Sequence, residues 1–352
     1  MSKIFDEVKL RRLISKNRIA RSATNDPFSS PEGYVTEKQK KLYYDISSNN
    51  VGLIITGHVC VHALGRVSNI QNCFYDESFV DGQKDVASII KQNNAIAILQ
   101  ISHAGPSSDL KVLNGKMAVA PSNVTDSKGQ TVARELTIPE ILQIKQNFVD
   151  AAIRAKQAGF DGIQVHCAHG YLLSSFLNPI SNKRRDEHGG LIENRFKFIR
   201  DIIEEIQISL DDDFPILIKI NSNIEENDIA FESDFMFMMK EFDKLGVEAV
   251  EISGYNFTAL GRDGKNNYYL ERAARARKET NIPIILVGGI RSQADMDKVI
   301  DSGIEMIAMA RPFICEFDLA TKLKNGQTEA KCKSCSKCFY LYQKEGRRCI
   351  QS

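Results

Sequence analysis

Eight short runs rich in β-branched and apolar residues alternate along this chain with longer segments of helical period, and that alternation restricts the fold more than any other feature. The runs lie near residues 17–23, 51–57, 95–102, 161–166, 214–221, 247–253, 283–288 and 304–309. Several, such as VGLII and PIILV, are apolar throughout, as parallel strands covered on both faces should be. Strand followed by helix, repeated around a closed sheet, predicts an α/β fold of the (β/α)8 TIM-barrel type. The chain has 352 residues, which one barrel domain with insertions can use in full. The barrel pattern stops near residue 321, so the expected organisation is a barrel over 1–321 and a basic, cysteine-bearing tail over 322–352.

The helices have legible starts. Thr137 with Glu140 predicts a capping box ahead of a stripe formed by Ile141, Ile144, Phe148, Ala152 and Ala155. Ser292 with Asp295 predicts a shorter helix that stops at Gly303. A third stripe, Ile192, Phe196, Ile199, Ile203 and Ile206, reads as core. The segment from 103 to about 136 has little regular pattern, and an insertion of that length after a strand predicts a lid or substrate loop.

A formal net charge of +1 with acids and bases intermixed argues against a nucleic-acid footprint and against a basic membrane-binding face. No run approaches the length of a membrane span, and the first twenty residues lack a signal peptide's apolar core. A cytoplasmic protein with a small-molecule partner is the expectation, with a homo-oligomer left open. Eight cysteines, four of them after residue 331, suit thiol chemistry in a reducing compartment better than a disulfide scaffold.

A parallel barrel carries its chemistry at the C-terminal ends of its strands. His58, His103, His166 and His169 all fall where apolar runs end. His166 and His169, with Tyr171 two residues on, read as a metal pair, as two donors to a substrate oxygen beside a phenolic proton donor, or as a structural pair. Neither a third histidine nor a carboxylate stands close by in sequence to complete a metal site. Gln100 ends the third run, where its amide suits either a heteroaromatic ligand with alternating donors and acceptors or a structural bond. Lys219 lies inside the strand ILIKIN and needs an anionic partner, either a neighbouring carboxylate such as Glu251 or a ligand in the barrel mouth. Gly288 and Gly289 follow the seventh run, and Ala310 and Arg311 the eighth. Those positions suit a phosphate site or two ordinary turns.

The ordered set of motifs then becomes specific. His166-Cys-Ala-His169-Gly-Tyr171, Phe176-Leu-Asn-Pro-Ile-Ser-Asn182, Arg185-Asp-Glu-His-Gly189-Gly190 and Glu193-Asn-Arg195 resemble the signature of the old yellow enzyme family of NADH:flavin oxidoreductases. The resemblance extends to Lys16-Asn17-Arg18-Ile19, Gln100-Ile-Ser-His103-Ala-Gly105 and Met309-Ala310-Arg311-Pro312, over roughly residues 5 to 320. It implies non-covalent FMN at the barrel mouth and NAD(P)H as electron donor. It assigns Ser22, Ala23, Thr24, Asn25, Gly57 and His58 to the flavin's flank, with His58 contributing its backbone. Gln100 would meet the pyrimidine edge and Lys219 N1 and O2, while Gly288, Gly289, Ala310 and Arg311 would hold the phosphate. His166 and His169 would bind the carbonyl or nitro oxygen of an electron-poor alkene, and Tyr171 would protonate its α-carbon after hydride reaches the β-carbon. His103 stays structural in this reading. Phe28, Asn25 and Pro106 stand where relatives carry other residues, which bears on substrate range.

Cys332, Cys335, Cys338 and Cys349 offer enough thiolates for zinc or a 4Fe-4S cluster. Multidomain relatives of the dienoyl-CoA reductase type place a similar, slightly wider set after the barrel, where a cluster relays electrons from FAD to FMN. No FAD domain is expected here, so zinc, a cluster and no metal all remain open. Cys60, Cys73, Cys167 and Cys315 read as small core residues. The function expected is reduction of an activated alkene. Alternatives are a flavin-based electron donor that uses the cysteine site with an external partner, and a non-catalytic barrel acting as a binding protein.

Overall fold

The computed structural model describes residues 3–210, 213–225, 228–339 and 349–351. Eight parallel strands close into a barrel: β1 (Ile19–Arg21), β2 (Leu53–Ile55), β3 (Ile96–Ser102), β4 (Gly162–Cys167), β5 (Ile216–Asn221), β6 (Ala249–Ser253), β7 (Ile284–Val287) and β8 (Met306–Met309). Each pairs with its neighbour in sequence, and pairing of β8 with β1 completes the ring. All eight predicted strands are present and lie within their predicted runs or one residue beyond.

Helices α1 (Glu37–Ser47), α2 (Val80–Gln92), α3 (Ile138–Gln157), α4 (Ile192–Ser209), α5 (Ile229–Lys244), α6 (Leu270–Glu279) and α7 (Gln293–Asp301) are the crossovers. After β8 come the short α8 (Arg311–Cys315) and α9 (Leu319–Lys324). Both expected capping boxes form, at Thr137 with Glu140 and at Ser292 with Asp295. Helix α7 ends as expected, with Gly303 in the left-handed region at φ 91°. The stripes on α3 and α4 pack against the outside of the barrel, with Phe148, Phe196, Ile199 and Ile203 fully buried.

A second apolar cluster fills the interior: Ala20, Leu53, Ile55, Ile98, Leu217, Ala249, Ile285, Met306 and Ala308. A hairpin of Val8–Lys9 with Ile14–Ser15 closes the N-terminal end, adding Val8 and Leu10 to that cluster. Buried Glu248 at the foot of β6 accepts the Arg12 and Leu13 N–H groups at 2.8 Å each, which ties the hairpin down. A barrel plugged at one end and packed through the middle leaves the C-terminal mouth for ligands.

The segment 103–136 differs from expectation. It holds a small three-stranded sheet of Ala118–Ala120, Val124–Thr125 and Thr131–Glu135, and none of its residues lines the main cavity. Buried Arg184 secures it by donating to the Pro121 and Leu136 carbonyls at 3.0 and 2.7 Å. Strands of two to five residues show too few alternations for a periodicity reading to detect. Among the described residues no helix is long and apolar enough to cross a membrane.

Candidate active site

The C-terminal ends of the strands surround one cavity that opens to solvent at the barrel mouth. Of the barrel residues that the sequence reading gave a catalytic or cofactor-binding role, all but Gly57 line it: Ser22, Ala23, Thr24 and Asn25 after β1, His58 after β2, Gln100 on β3, His166 on β4 with His169 and Tyr171 beyond it, Lys219 on β5, Gly288 and Gly289 after β7, and Ala310 and Arg311 after β8. Gly57 faces away. Its N–H is met by Asp26 Oδ2 at 3.1 Å and the Tyr43 hydroxyl at 2.8 Å, and a Cβ there would lie 2.6 Å from Asp26. Successive extended residues point to opposite sides. His58 consequently turns its ring into the cavity wall, where a backbone contact alone was expected.

The floor is a buried polar network. Strand register sets Gln100 beside Gln164 and aligns His166, Lys219 and Glu251 across β4, β5 and β6. Gln100 Nε2 donates to Gln164 Oε1 at 2.6 Å, and Gln164 Nε2 donates to Glu251 Oε2 at 2.9 Å. Glu251 Oε1 accepts from Lys219 Nζ at 3.1 Å and from Ser22 Oγ at 2.5 Å, while Lys219 also donates to Ser22 Oγ at 2.8 Å. Lys219 thus meets both needs weighed for it, because it has its carboxylate and still borders the cavity. An ammonium has three donors, and these two bonds leave one for a ligand.

His166, His169 and Tyr171 cluster on one side. The His166 ring centroid lies 5.3 Å from that of His169 and 4.9 Å from that of Tyr171. His169 Nε2 is 2.9 Å from Ser253 Oγ, and the backbone N–H of His169 donates to Asn221 Oδ1 at 3.3 Å. His169 sits at φ 62°, a left-handed conformation that side chains rarely adopt and that aims this ring at the cavity. Burial, His169, His58 and Lys219 hold the His166 imidazole well below its ordinary pKa. Burial first, then Lys219 and His58, push His169 down to about 3. Both rings are neutral at physiological pH, each with one N–H to donate. His166 Nδ1 is buried without a partner, an unmet hydrogen bond in the cavity wall.

His103 is as structural as expected: it is buried, stacked on His62, accepts the Gly105 N–H at 3.0 Å, and is pushed down to about 3 by burial. With His166 and His169 it makes stability sensitive to acid. The unfolded chain protonates these three rings near pH 6.5 and the folded chain only well below that. Stability is therefore full above pH 6.5 and falls as pH drops towards 3, by about 1.4 kcal/mol per histidine per pH unit, or roughly 4 kcal/mol for the three together. Chemical denaturation at pH 7.0, 6.0, 5.5 and 5.0 should show that decline. A flat profile across this range would contradict the neutral buried rings.

After β7, Gly288 and Gly289 have φ of 132° and 74°, and a Cβ on either would strike Tyr269 or Tyr268. Arg311 Nη1 donates to Ser334 O and Ser336 Oγ, both at 3.0 Å, and Nη2 to Phe257 O at 3.4 Å. Of the five guanidinium donors these use three. The tail thereby reaches the site, since Ser334 and Phe339 line the cavity together with Phe257, Tyr269 and Ser253. Ser253 ends β6 as Gln100 lies near the end of β3, so the strand-end rule would have found it. Nothing in the tail's pattern marked Phe339. Cys332, Cys335, Cys338 and Cys349 line a second, small cavity that Arg311 also borders.

Residues 3–330 match the NADH:flavin oxidoreductase / NADH oxidase family. An NADH oxidase of Thermoanaerobacter brockii is 32% identical over 344 residues, covering 95% of this chain and 52% of the relative, so the chain spans about half that protein's length. An NADPH dehydrogenase of Geobacillus sp. (strain WCH70) is 30% identical over 313 residues, or 88% of this chain and 90% of the relative. The old yellow enzyme homologue from Zymomonas mobilis has the same fold, with a TM-score of 0.81 at 23% identity over 94% of this chain and 95% of its own. The motifs at the strand ends, the barrel that gathers them and these likenesses agree: the chain belongs to the NADH:flavin oxidoreductase / NADH oxidase family, whose members include the old yellow enzymes.

Proposed function

We propose that this protein takes electrons from NAD(P)H through FMN and reduces the activated C=C bond of an α,β-unsaturated carbonyl or a similar electron-poor alkene. The observation that carries this reading is the group of two neutral imidazoles and a phenol on one side of a cavity whose floor holds a lysine. The cavity suits FMN in chemistry. Gln100 and Lys219 offer hydrogen bonds at its floor, Ser22 to Asn25 form one flank, and Gly288, Gly289, Ala310 and Arg311 present a glycine turn and a cation for phosphate. When bound, FMN supplies hydride transfer.

The chain's own residues do the rest. His166 and His169 donate to the substrate's activating oxygen, on which negative charge grows as the alkene is reduced. Their bonds strengthen with that charge, so they lower the barrier more than they tighten ground-state binding. Neutral donors suit this task, since they stabilise the oxygen without surrendering a proton to it. Tyr171 gives its proton to the α-carbon. The test is anaerobic reduction of the holoprotein by NADH and by NADPH, followed by mixing with cyclohexenone, a nitroalkene and artificial electron acceptors. Faster reoxidation by the alkenes supports the proposal, and reoxidation by the acceptors alone overturns it.

The alternative of an electron donor acting through the tail has one observation in its favour: the cysteine cavity and the main cavity share Arg311. For that cavity we favour a 4Fe-4S cluster over zinc. The Ser334 N–H donates to Cys332 Sγ at 3.5 Å and the Gln351 N–H to Cys349 Sγ at 3.4 Å, bonds that suit metal-bound thiolates. Among the described residues no group of three or more His, Cys, Asp or Glu side chains is arranged for a metal ion, so the choice of a cluster rests on the number of thiolates, four, that a 4Fe-4S centre takes. Elemental analysis of anaerobically purified protein should find about four iron atoms per chain by this reading. Zinc without iron would reject the cluster and with it the electron relay. A non-catalytic binding barrel has no comparable observation behind it.

A further inference from the structure

His58 lies three residues past the end of β2, is 5% exposed, and has its imidazole 5.3 Å from the Tyr171 ring, centroid to centroid. Its Nε2 is 3.5 Å from the Tyr171 hydroxyl oxygen. The direction of that bond follows from the far side of the ring. Gln71 Oε1 accepts the Val67 N–H at 2.7 Å, which fixes the amide's orientation and leaves Nε2 facing His58. Gln71 Nε2 lies 2.8 Å from His58 Nδ1 and 3.3 Å from His58 O, and an amide nitrogen can only donate. An N–H aimed at Nδ1 excludes a proton there, so the neutral ring carries its proton on Nε2. Ser102 Oγ lies 2.8 Å from the same Nδ1 and 3.2 Å from Val59 O; its single proton can go to the ring nitrogen or to the carbonyl, and it is the Gln71 N–H that sets the tautomer.

We infer that His58 is a positioning residue for Tyr171: its Nε2–H donates to the phenolic oxygen, turning the tyrosine's own proton toward the substrate and stabilising the phenolate left when that proton departs. The inference rests on the reading of Tyr171 as the proton source and adds a device to it. A histidine that accepted from Tyr171 would do the opposite, because it would occupy the proton the reaction needs. The chain of donors runs from Gln71 to His58 to Tyr171, each pointing toward the cavity. In the transfer itself the Tyr171 O–H bond breaks, its proton forms the α-carbon's C–H bond, and the electron pair stays on the phenolic oxygen under the His58 hydrogen bond. A proton from solvent then restores the phenol.

The test is a double-mutant cycle read in the alkene-reducing half-reaction, with holoprotein reduced anaerobically and mixed with 2-cyclohexen-1-one in a stopped-flow instrument. FMN content is measured for every variant by its visible absorbance. A hydrogen bond to a developing charge predicts that His58→Phe slows reoxidation by about 10- to 100-fold at saturating enone. His58→Gln, whose amide N–H can take the place of Nε2–H, should recover most of that loss. In a Tyr171→Phe background the His58→Phe change should cost less than about 2-fold, because contacting residues that act together are not additive. Equal losses from His58→Phe with and without the Tyr171 hydroxyl, or no recovery in His58→Gln, would overturn the inference while leaving Tyr171 as the proton source. An unchanged rate in Tyr171→Phe would overturn the proton-source reading itself, and the inference with it.

Discussion

Replacing His169 by alanine is expected to slow reduction of an enone by about 10²- to 10³-fold, the usual cost of removing one preorganised donor from a developing oxyanion. The loss should appear in the oxidative half-reaction. Reduction by nicotinamide and retention of FMN should change little, because His169 bonds to Ser253 and Asn221 and takes no part in the Lys219 network. The position has a second constraint in its φ of 62°, which alanine tolerates poorly and asparagine well. His169→Asn keeps both a donor and an accessible backbone, and should hold most of the parental rate. Stopped-flow reoxidation of the two variants by cyclohexenone separates the donor from the backbone. If His169→Ala matched the parent, the oxygen-binding assignment would be wrong.

The second large effect belongs to Glu251. It is fully buried and accepts from Lys219, Ser22 and Gln164, so Glu251→Leu strands an ammonium, a hydroxyl and an amide in the barrel interior. Removing one partner of a buried ion pair costs about 3–5 kcal/mol, far more than the pair contributes net. Denaturant unfolding of the FMN-free protein should show that loss. Removing both charges, as Lys219→Met with Glu251→Leu, should recover most of the stability, since apolar replacements of similar volume relieve the desolvation cost. FMN affinity should fall in the double variant all the same, because the ligand-facing cation is gone. Stability recovered together with full FMN affinity would mean that Lys219 serves the barrel alone.

The strands were legible because each is four to seven residues of apolar or β-branched chain with a helix behind it, apart from β1 and β2, which shrink to three residues within longer apolar runs. The site was legible for the same reason: in a parallel barrel, proximity in space follows from equivalent position on each strand. That rule gathers His166, Lys219, Gln100 and Arg311 from 212 residues of sequence without any knowledge of packing. It failed for Gly57, which stands at a strand end but on its outward side, and for the segment 103–136, whose anchor is the buried Arg184. It had no purchase on Phe339, which enters the cavity from the tail.

Local pattern therefore determined the barrel, three of its helices and the strand-end residues Gln100, His166, Lys219 and Arg311, while the family resemblance supplied Ser22 to Asn25. Periodicity and strand-end position are properties of neighbours in the chain, and a sequence displays them directly. Tertiary structure decided how those residues are used. Only the closed barrel brings Glu251 to Lys219, only the tail's docking spends two Arg311 donors on Ser334 and Ser336, and only the amide of Gln71 sets the proton on His58. Each of these depends on the direction of a single hydrogen bond between residues distant in the chain or bent back by a turn, and such directions leave no periodic trace in the sequence.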